Sequence, residues 1–233
     1  MRRWFGRRDR SADPGDYPAG PVRDLGAAPP PPSETPVSAV EFLAVDIETT
    51  GLDPRRDHVL AIGWVPVRQR QVELAGAQEV VVRPPPGVEV GESATVHRLT
   101  DDALAGAPTL AAVLPDLLAA LHGQVLLAHH SPIELDFLGR AVQEGYGASP
   151  PLVAVDTMAV QHRLVLGTHG EIRPRSLRLD EARRHFGLPR YHAHRALIDA
   201  IAAAELLLAQ VAELEHRLGR EPVLSDLSPN RRR

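Results

Sequence analysis

Between Glu41 and Glu48 the chain alternates as a strand does, with Leu43, Val45 and Ile47 on one face and Asp46 and Glu48 on the other. Carboxylates at i and i+2 of a strand point the same way, with their stems roughly 6.5–7 Å apart. On a buried strand, two like charges at that spacing are costly unless something positive lies between them. A divalent cation such as Mg²⁺ or Mn²⁺ suits the position, because it prefers hard carboxylate oxygens. Taken alone, the pair also reads as the solvent face of an edge strand.

The segments that follow set the fold class. The apolar run Val59 to Val67 predicts a second strand and Gln78 to Arg83 a third, with Gly76 as a turn residue between them. Three strands in succession suggest an antiparallel meander. Beyond Pro84-Pro85-Pro86-Gly87 the character changes to helix. Thr100 with Asp101 caps a short one, and Thr109 caps another that runs to about Leu121. Val125 to Ala128 is a short buried strand that leads into a helix from about Ile133 to Glu144. Leu152 to Val155 is another strand, with Asp156 or Thr157 capping the helix behind it. A helix from Ser176 or Asp180 stops at Gly187. The last runs from about Arg195 to Leu218, with Leu197, Ile201, Ala204, Leu208 and Val211 on one stripe. This order implies an α/β layer fold with a mixed sheet. Ser11 to Pro36 holds eight Pro and three Gly. The expectation is therefore a disordered Arg/Pro-rich leader over 1–38, one domain over 39–218, and a flexible basic tail over 219–233.

Composition removes several chemistries. The chain has no cysteine, which excludes a disulfide framework, a thiol nucleophile and Cys-ligated metal. All 26 basic residues are arginine, so neither Schiff-base lysine chemistry nor the lysine of a Walker loop is available. At 43% hydrophobic, the 233 residues can bury a sizeable core. Residues 37–216 carry 15 Arg against 23 acids, too acidic for a general nucleic-acid coat protein. Local nucleic-acid binding stays open, above all if some carboxylates hold metal. The start, MRRWFGRRDR, is positive but no apolar stretch follows it, and no run is long enough to span a membrane. A soluble, cytoplasmic protein without stable membrane association is expected.

Asp46-Ile47-Glu48-Thr49-Thr50-Gly51-Leu52 resembles the first motif of the DEDD exonucleases, the group containing the proofreading subunit of bacterial replicative DNA polymerase and ribonuclease T. His194-Arg195-Ala196-Leu197-Ile198-Asp199-Ala200 resembles their third motif, and a His five residues before the Asp marks the DEDDh subgroup. Thr95 to Thr100 is similar to the His-Gly-Ile-Thr segment beyond the third strand. Val155-Asp156-Thr157 resembles the Asp-Thr that opens the helix before the third motif. The second motif departs from the pattern. Family members read approximately Ala-His-Asn-x-x-Phe-Asp-x-x-Phe-Leu, whereas this chain has Ala128 to Leu138 with His130, Ile133 and Glu134 at the Asn, Phe and Asp positions. Asp136 has the usual side chain but lies half a helical turn away and should face elsewhere. The resemblance covers about 41–210.

The resemblance implies a ribonuclease H-like fold, a five-stranded mixed sheet flanked by helices. It implies a metal-dependent 3′→5′ exonuclease that releases nucleoside monophosphates from nucleic-acid 3′ ends, DNA first. An exoribonuclease or small-oligonucleotide hydrolase is the alternative enzyme. A catalytically weakened module that binds nucleic acid or a protein partner is the alternative from another class. Asp46, Glu48, Glu134 and Asp199 would hold two divalent cations, Mg²⁺ or Mn²⁺. His194, with an ordinary pKa of about 6.5, would be the general base. Thr49, Thr50 and Leu52 would hold the terminal nucleotide, with His97 flanking the same pocket. The partners implied are a single-stranded DNA or RNA 3′ end and a polymerase or another protein. Independently of the resemblance, seven arginines lie between Arg173 and Arg195 against Asp180 and Glu181. Arg173, Arg175 and Arg190 are read as phosphate contacts, Arg178 and Arg184 as members of a paired helix face.

Overall fold

A computed structural model describes residues 13–88, 101–148, 150, 152–169, 175–191 and 194–228. Among them lie the strands β1 (Phe42–Thr49), β2 (Val59–Arg68), β3 (Gln71–Val72), β4 (Gln78–Val81), β5 (Val125–Ala128) and β6 (Ala154–Asp156). The helices are α1 (Pro21–Ala27), α2 (Asp101–Ala105), α3 (Leu110–Leu121), α4 (Pro132–Tyr146), α5 (Thr157–His169), α6 (Leu179–His185), α7 (Ala196–Leu218) and α8 (Leu224–Leu227). The strands form one sheet in the order β3-β2-β1-β5-β6, with β4 also on β2. β1 pairs antiparallel with β2 and parallel with β5, so the sheet is mixed. The expected α/β fold with helices on a mixed sheet is what the chain adopts.

The sheet has six strands where five were expected. The extra one, β3, is two residues long and pairs with Val67 and Arg68 at the far end of β2, while β4 pairs with Ala61 to Trp64. β3 and β4 thus share one edge of β2, and the sheet remains five strands across. Gln69 and Arg70 make the tight connection, both in the left-handed region at φ 50° and 59°. Two-residue hairpin loops favour such backbone, usually with Asn or Gly, and Gln-Arg gives no such signal.

β1 is buried on both faces. Leu43, Val45 and Ile47 pack with Ile62 and Trp64 beneath α3 and α4. Phe42 and Ala44 pack with Val65 and Val67 beneath α7, which presents Ala200, Ala204, Leu207 and Val211. The expected stripe was rotated slightly from this one: Leu197, Ile201 and Leu208 are only partly buried beside it. Alanine is the reason, because small residues let the helix axis lie close to the sheet.

The leader and the tail differ from expectation. Residues 13–38 lie against the domain, with Tyr17, Val22 and Leu25 buried in the cluster that includes α3. The two ends also zip together. Val37 N–H donates to the Pro222 carbonyl at 2.9 Å, Leu224 N–H to Thr35 at 2.9 Å, and Ser225 N–H to Ser33 at 2.8 Å. Leu224 and Leu227 then enter the α7-side core beside Val37 and Val40. Prolines stiffen these segments, and the large apolar residues Tyr17, Val22, Leu25, Val37, Leu224 and Leu227 find buried places. Leu227→Ala should therefore lower unfolding stability by about 2–5 kcal/mol in a urea titration. An unchanged midpoint would return 219–228 to a flexible tail.

Candidate catalytic site

β1 and β5 are parallel, so their carboxyl ends meet at one edge of the sheet, where open α/β sheets usually hold ligands. Asp46 and Glu48 end β1 on the face that α7 covers. The first turn of α7 adds Asp199, and the ligand oxygens of these three acids all lie within 4.8 Å of one another. α4 starts just beyond β5 with Pro132 in its first turn, and Glu134 follows at the same edge. Glu134 is 3% exposed, and its Oε2 has no hydrogen-bond partner among the described residues. Asp136, by contrast, is exposed. The substituted second motif thus turns its Glu inward and its Asp outward.

The approach of α7 depends on Gly63. In the β1–β2 register Gly63 lies directly opposite Asp46. A Cβ added there would stand 2.1 Å from Leu197 N and 2.2 Å from the Ala196 carbonyl carbon. Only glycine lets the start of α7 rest on β2 one strand away from Asp46. Neighbouring Glu79 on β4 completes the seat: its Oε1 accepts the Leu197 N–H at 3.2 Å and its Oε2 accepts the Arg195 guanidinium at 2.5 Å. Sequence reasoning passed over both residues. Gly63 did carry a signal, since glycine inside an apolar strand marks a close backbone approach. Glu79 carried none.

The acids resist ionisation together. Burial first, then the charges of Glu134, Asp199 and Glu48, hold Asp46 well above the usual carboxylate range. Burial, then Asp199 and Glu79, push Glu48 up to about 7. Burial raises Glu134 to about 8, with Asp156 adding to it, and burial also raises Asp199. Near neutral pH such a set stays partly protonated unless positive charge enters it. Carboxylate oxygens alone, clustered and desolvated, form the donor set that Mg²⁺ or Mn²⁺ prefers. The residues fit those ions.

His194 lies on the exposed loop before α7 with φ 72°, and its backbone N–H donates to Asp199 Oδ2 at 2.9 Å. The loop after β1 is built partly by residues expected to bind nucleotide. Thr49 Oγ1 donates to the Gly51 carbonyl at 2.6 Å. Thr50 Oγ1 donates to Asp57 Oδ1 at 3.2 Å and accepts the His58 N–H at 3.0 Å. Leu52 projects from that loop, 76% exposed. His97 and Arg173 lie outside the described residues. Arg175 and Arg190 are exposed, whereas Arg183 is buried and pairs with Glu205 at 2.7 Å, and Arg184 pairs with Glu181. Asp156 accepts the N–H groups of Met158 and of His130, which holds the start of α5 and the left-handed His130 turn together. A cavity of about 570 Å³ lies beyond the same β1–β2 loop, between Arg55, His58, Pro85, Leu110 and Arg140; none of the four acids lines it.

The RNase_T family model, described as Exonuclease, matches residues 43–207. DNA polymerase III PolC-type of Thermotoga petrophila is 28% identical over 178 residues, 76% of this chain and 12% of that protein. The chain therefore spans only about an eighth of the length of that relative. DNA polymerase III subunit epsilon of Treponema pallidum is 29% identical over 175 residues, 74% of this chain and 77% of that one. Among solved structures, E. coli Exonuclease I in complex with a dT13 oligonucleotide superposes with a TM-score of 0.65 at 17% identity, covering 77% of this chain and 42% of that one. That likeness shows the fold.

Raised carboxyl pKa values link stability to pH. Below their unfolded pKa values these acids are protonated in both states. As pH rises toward the folded values, about 7 for Glu48 and about 8 for Glu134, the folded state must give up protons that it holds more tightly, and stability is lost. Buried His129, whose pKa is lowered by burial, acts in the opposite sense at acid pH. The metal-free melting temperature should thus fall between roughly pH 7 and 8, where His129 is mostly neutral in both states. Added Mn²⁺ should raise it more at the upper end, and Glu134→Gln should flatten the slope. A flat native profile in thermal denaturation would deny the clustering.

Proposed function

The chain belongs to the RNase_T exonuclease family, and on that footing we propose that it is a metal-dependent 3′→5′ exonuclease releasing nucleoside monophosphates from single-stranded 3′ ends, DNA first. The convergence of Asp46, Glu48, Asp199 and buried Glu134 at one strand edge, with His194 on the adjoining loop, carries this reading. Those four acids would hold two divalent cations, Mg²⁺ or Mn²⁺. The bound ions would supply an acidified water and stabilise the leaving oxygen of an in-line displacement. His194 would take the water's proton at an imidazole nitrogen. Its backbone tie to Asp199 supports that placement, because it keeps the ring near the cluster.

The β1–β2 loop would receive the terminal nucleotide. Thr49 and Thr50 keep its shape through their hydroxyls, and exposed Leu52 offers an apolar surface to a base. Arg175 and Arg190 would meet phosphates upstream. DNA is favoured because the polymerase III relatives are DNA polymerase proteins and Exonuclease I holds a dT13 strand. The epsilon subunit relative also supports a polymerase as protein partner. The inward setting of Glu134 favours an enzyme over a weakened binding module.

A 5′-labelled single strand tests the reading through the direction and size of its products. Shortening from the 3′ end in Mg²⁺ or Mn²⁺, with mononucleotide release and reversible loss in EDTA, is expected. Asp46→Asn and Asp199→Asn should nearly abolish it, and His194→Ala should cost roughly 10²–10⁴-fold in turnover. Glu134→Gln should be severe and Asp136→Asn mild. Full activity in EDTA, or the reverse order of the last two variants, would overturn the assignment.

A further inference from the structure

His194 and Asp199 belong to one short span whose geometry is set from outside it. His194 adopts a left-handed backbone at φ 72°, a conformation that costs a non-glycine residue free energy and persists only when neighbours enforce it. One enforcing contact lies within the span, the His194 N–H on Asp199 Oδ2 at 2.9 Å. The other comes from the sheet edge. Glu79 binds the guanidinium of Arg195, the residue after His194, at 2.5 Å through Oε2, and caps the Leu197 N–H at 3.2 Å through Oε1. Arg195 is the N-cap of α7 yet makes no side-chain cap of its own, so Glu79 supplies the missing acceptor from more than a hundred residues away in sequence. The strand that carries it is fixed in register, with Glu79 opposite Gly63 and Gly63 opposite Asp46. One line of residues across three strands therefore ties the α7 start to the first metal-binding acid.

We propose that Glu79 and Arg195 are positioning residues that hold His194 and the first turn of α7 in register with Asp46 and Glu48. This rests on the exonuclease reading for its kinetic consequence and not for its structural one. The Arg195 side chain is 56% exposed and that of Glu79 24%. An ion pair so placed contributes little to global stability. Its consequence is where the loop sits, and a displacement of an ångström in a catalytic group can cost on the order of 10²-fold in rate. Glu79 acts through the backbone it holds, and its charge also reaches Glu48, whose carboxyl it helps to push up; Arg195→Ala keeps that charge and so isolates the positional effect.

The test compares Glu79→Ala, Arg195→Ala and the double variant in the full chain. The expected result is a kcat lowered about 10- to 100-fold with KM and its salt dependence within about twofold, and no further loss in the double variant. Hydrogen exchange of the free protein should quicken at the amides of 195–199 in each variant, with a melting temperature close to that of the native chain. Should Glu79→Ala fail to fold, Arg195→Ala carries the same expectation alone. Unchanged exchange and kcat would overturn the proposal. So would a raised KM and a flattened salt dependence in Arg195→Ala with Glu79→Ala unaffected, since Arg195 would then be a phosphate contact. A native protein inactive on every strand would defeat the exonuclease reading, while the exchange measurement would still decide the clamp.

Discussion

Four carboxylates brought to the end of one buried strand repel one another, and the fold is arranged around holding them there. Asp46 and Glu48 replace apolar residues on a face of β1 that is otherwise core, with Phe42 and Ala44 behind them. Asp199 arrives on the opposite layer from Glu134, so the cluster draws on α7 from one side of the sheet and α4 from the other. α4 reaches that edge because β5, which leads into it, runs parallel to β1. The energetic cost of the cluster is visible in the raised proton affinity of every member. Divalent cations relieve that cost, which connects the stability of the fold to its chemistry.

Close approach is the second constraint. α7 lies on the sheet through alanines and starts at a point where β2 has no side chain, Gly63. The glycine is a condition for the cluster, because any Cβ there would push Asp199 away from Asp46. Long-range ties then fix what proximity permits. Glu79 anchors the α7 start, and Asp156 joins the β5–α4 turn to the head of α5. The two chain ends, paired to each other through Thr35 and Leu224, close the α7 side of the core.

The sequence displayed what short periods and motifs can carry. The alternation in β1, the strand–helix order and the two flanking motifs were legible; Asp46 and Glu48 lie together as their strand spacing implied, and Asp199 joins them as the family resemblance implied. The choice of Glu134 over Asp136 followed from the resemblance to the second motif and from helical direction; in the structure Glu134 is buried and Asp136 exposed. Residues 13–38 and 219–228 were misread because proline-rich composition resembles a linker, and single leucines between prolines give no period to detect. Glu79 was invisible for another reason: its partners lie far along the chain, and register across a sheet is not written in local pattern. Within the arginine-rich stretch, the sequence left Arg183 and Arg195 without a role; Arg183 serves the core and Arg195 the helix start, both through partners far along the chain.

Cation binding coupled to proton release tests the account most directly. Near neutral pH, Glu48 and Glu134, with pKa values of about 7 and about 8, still hold protons that an incoming cation must displace. Calorimetric titration of the metal-free protein with Mn²⁺, repeated in buffers of different ionisation enthalpy, measures both quantities. Saturable binding with net proton release at pH 7 is expected, with loss of both in Asp46→Asn. Absence of saturable binding, or binding that releases no protons and survives Asp46→Asn, would contradict it.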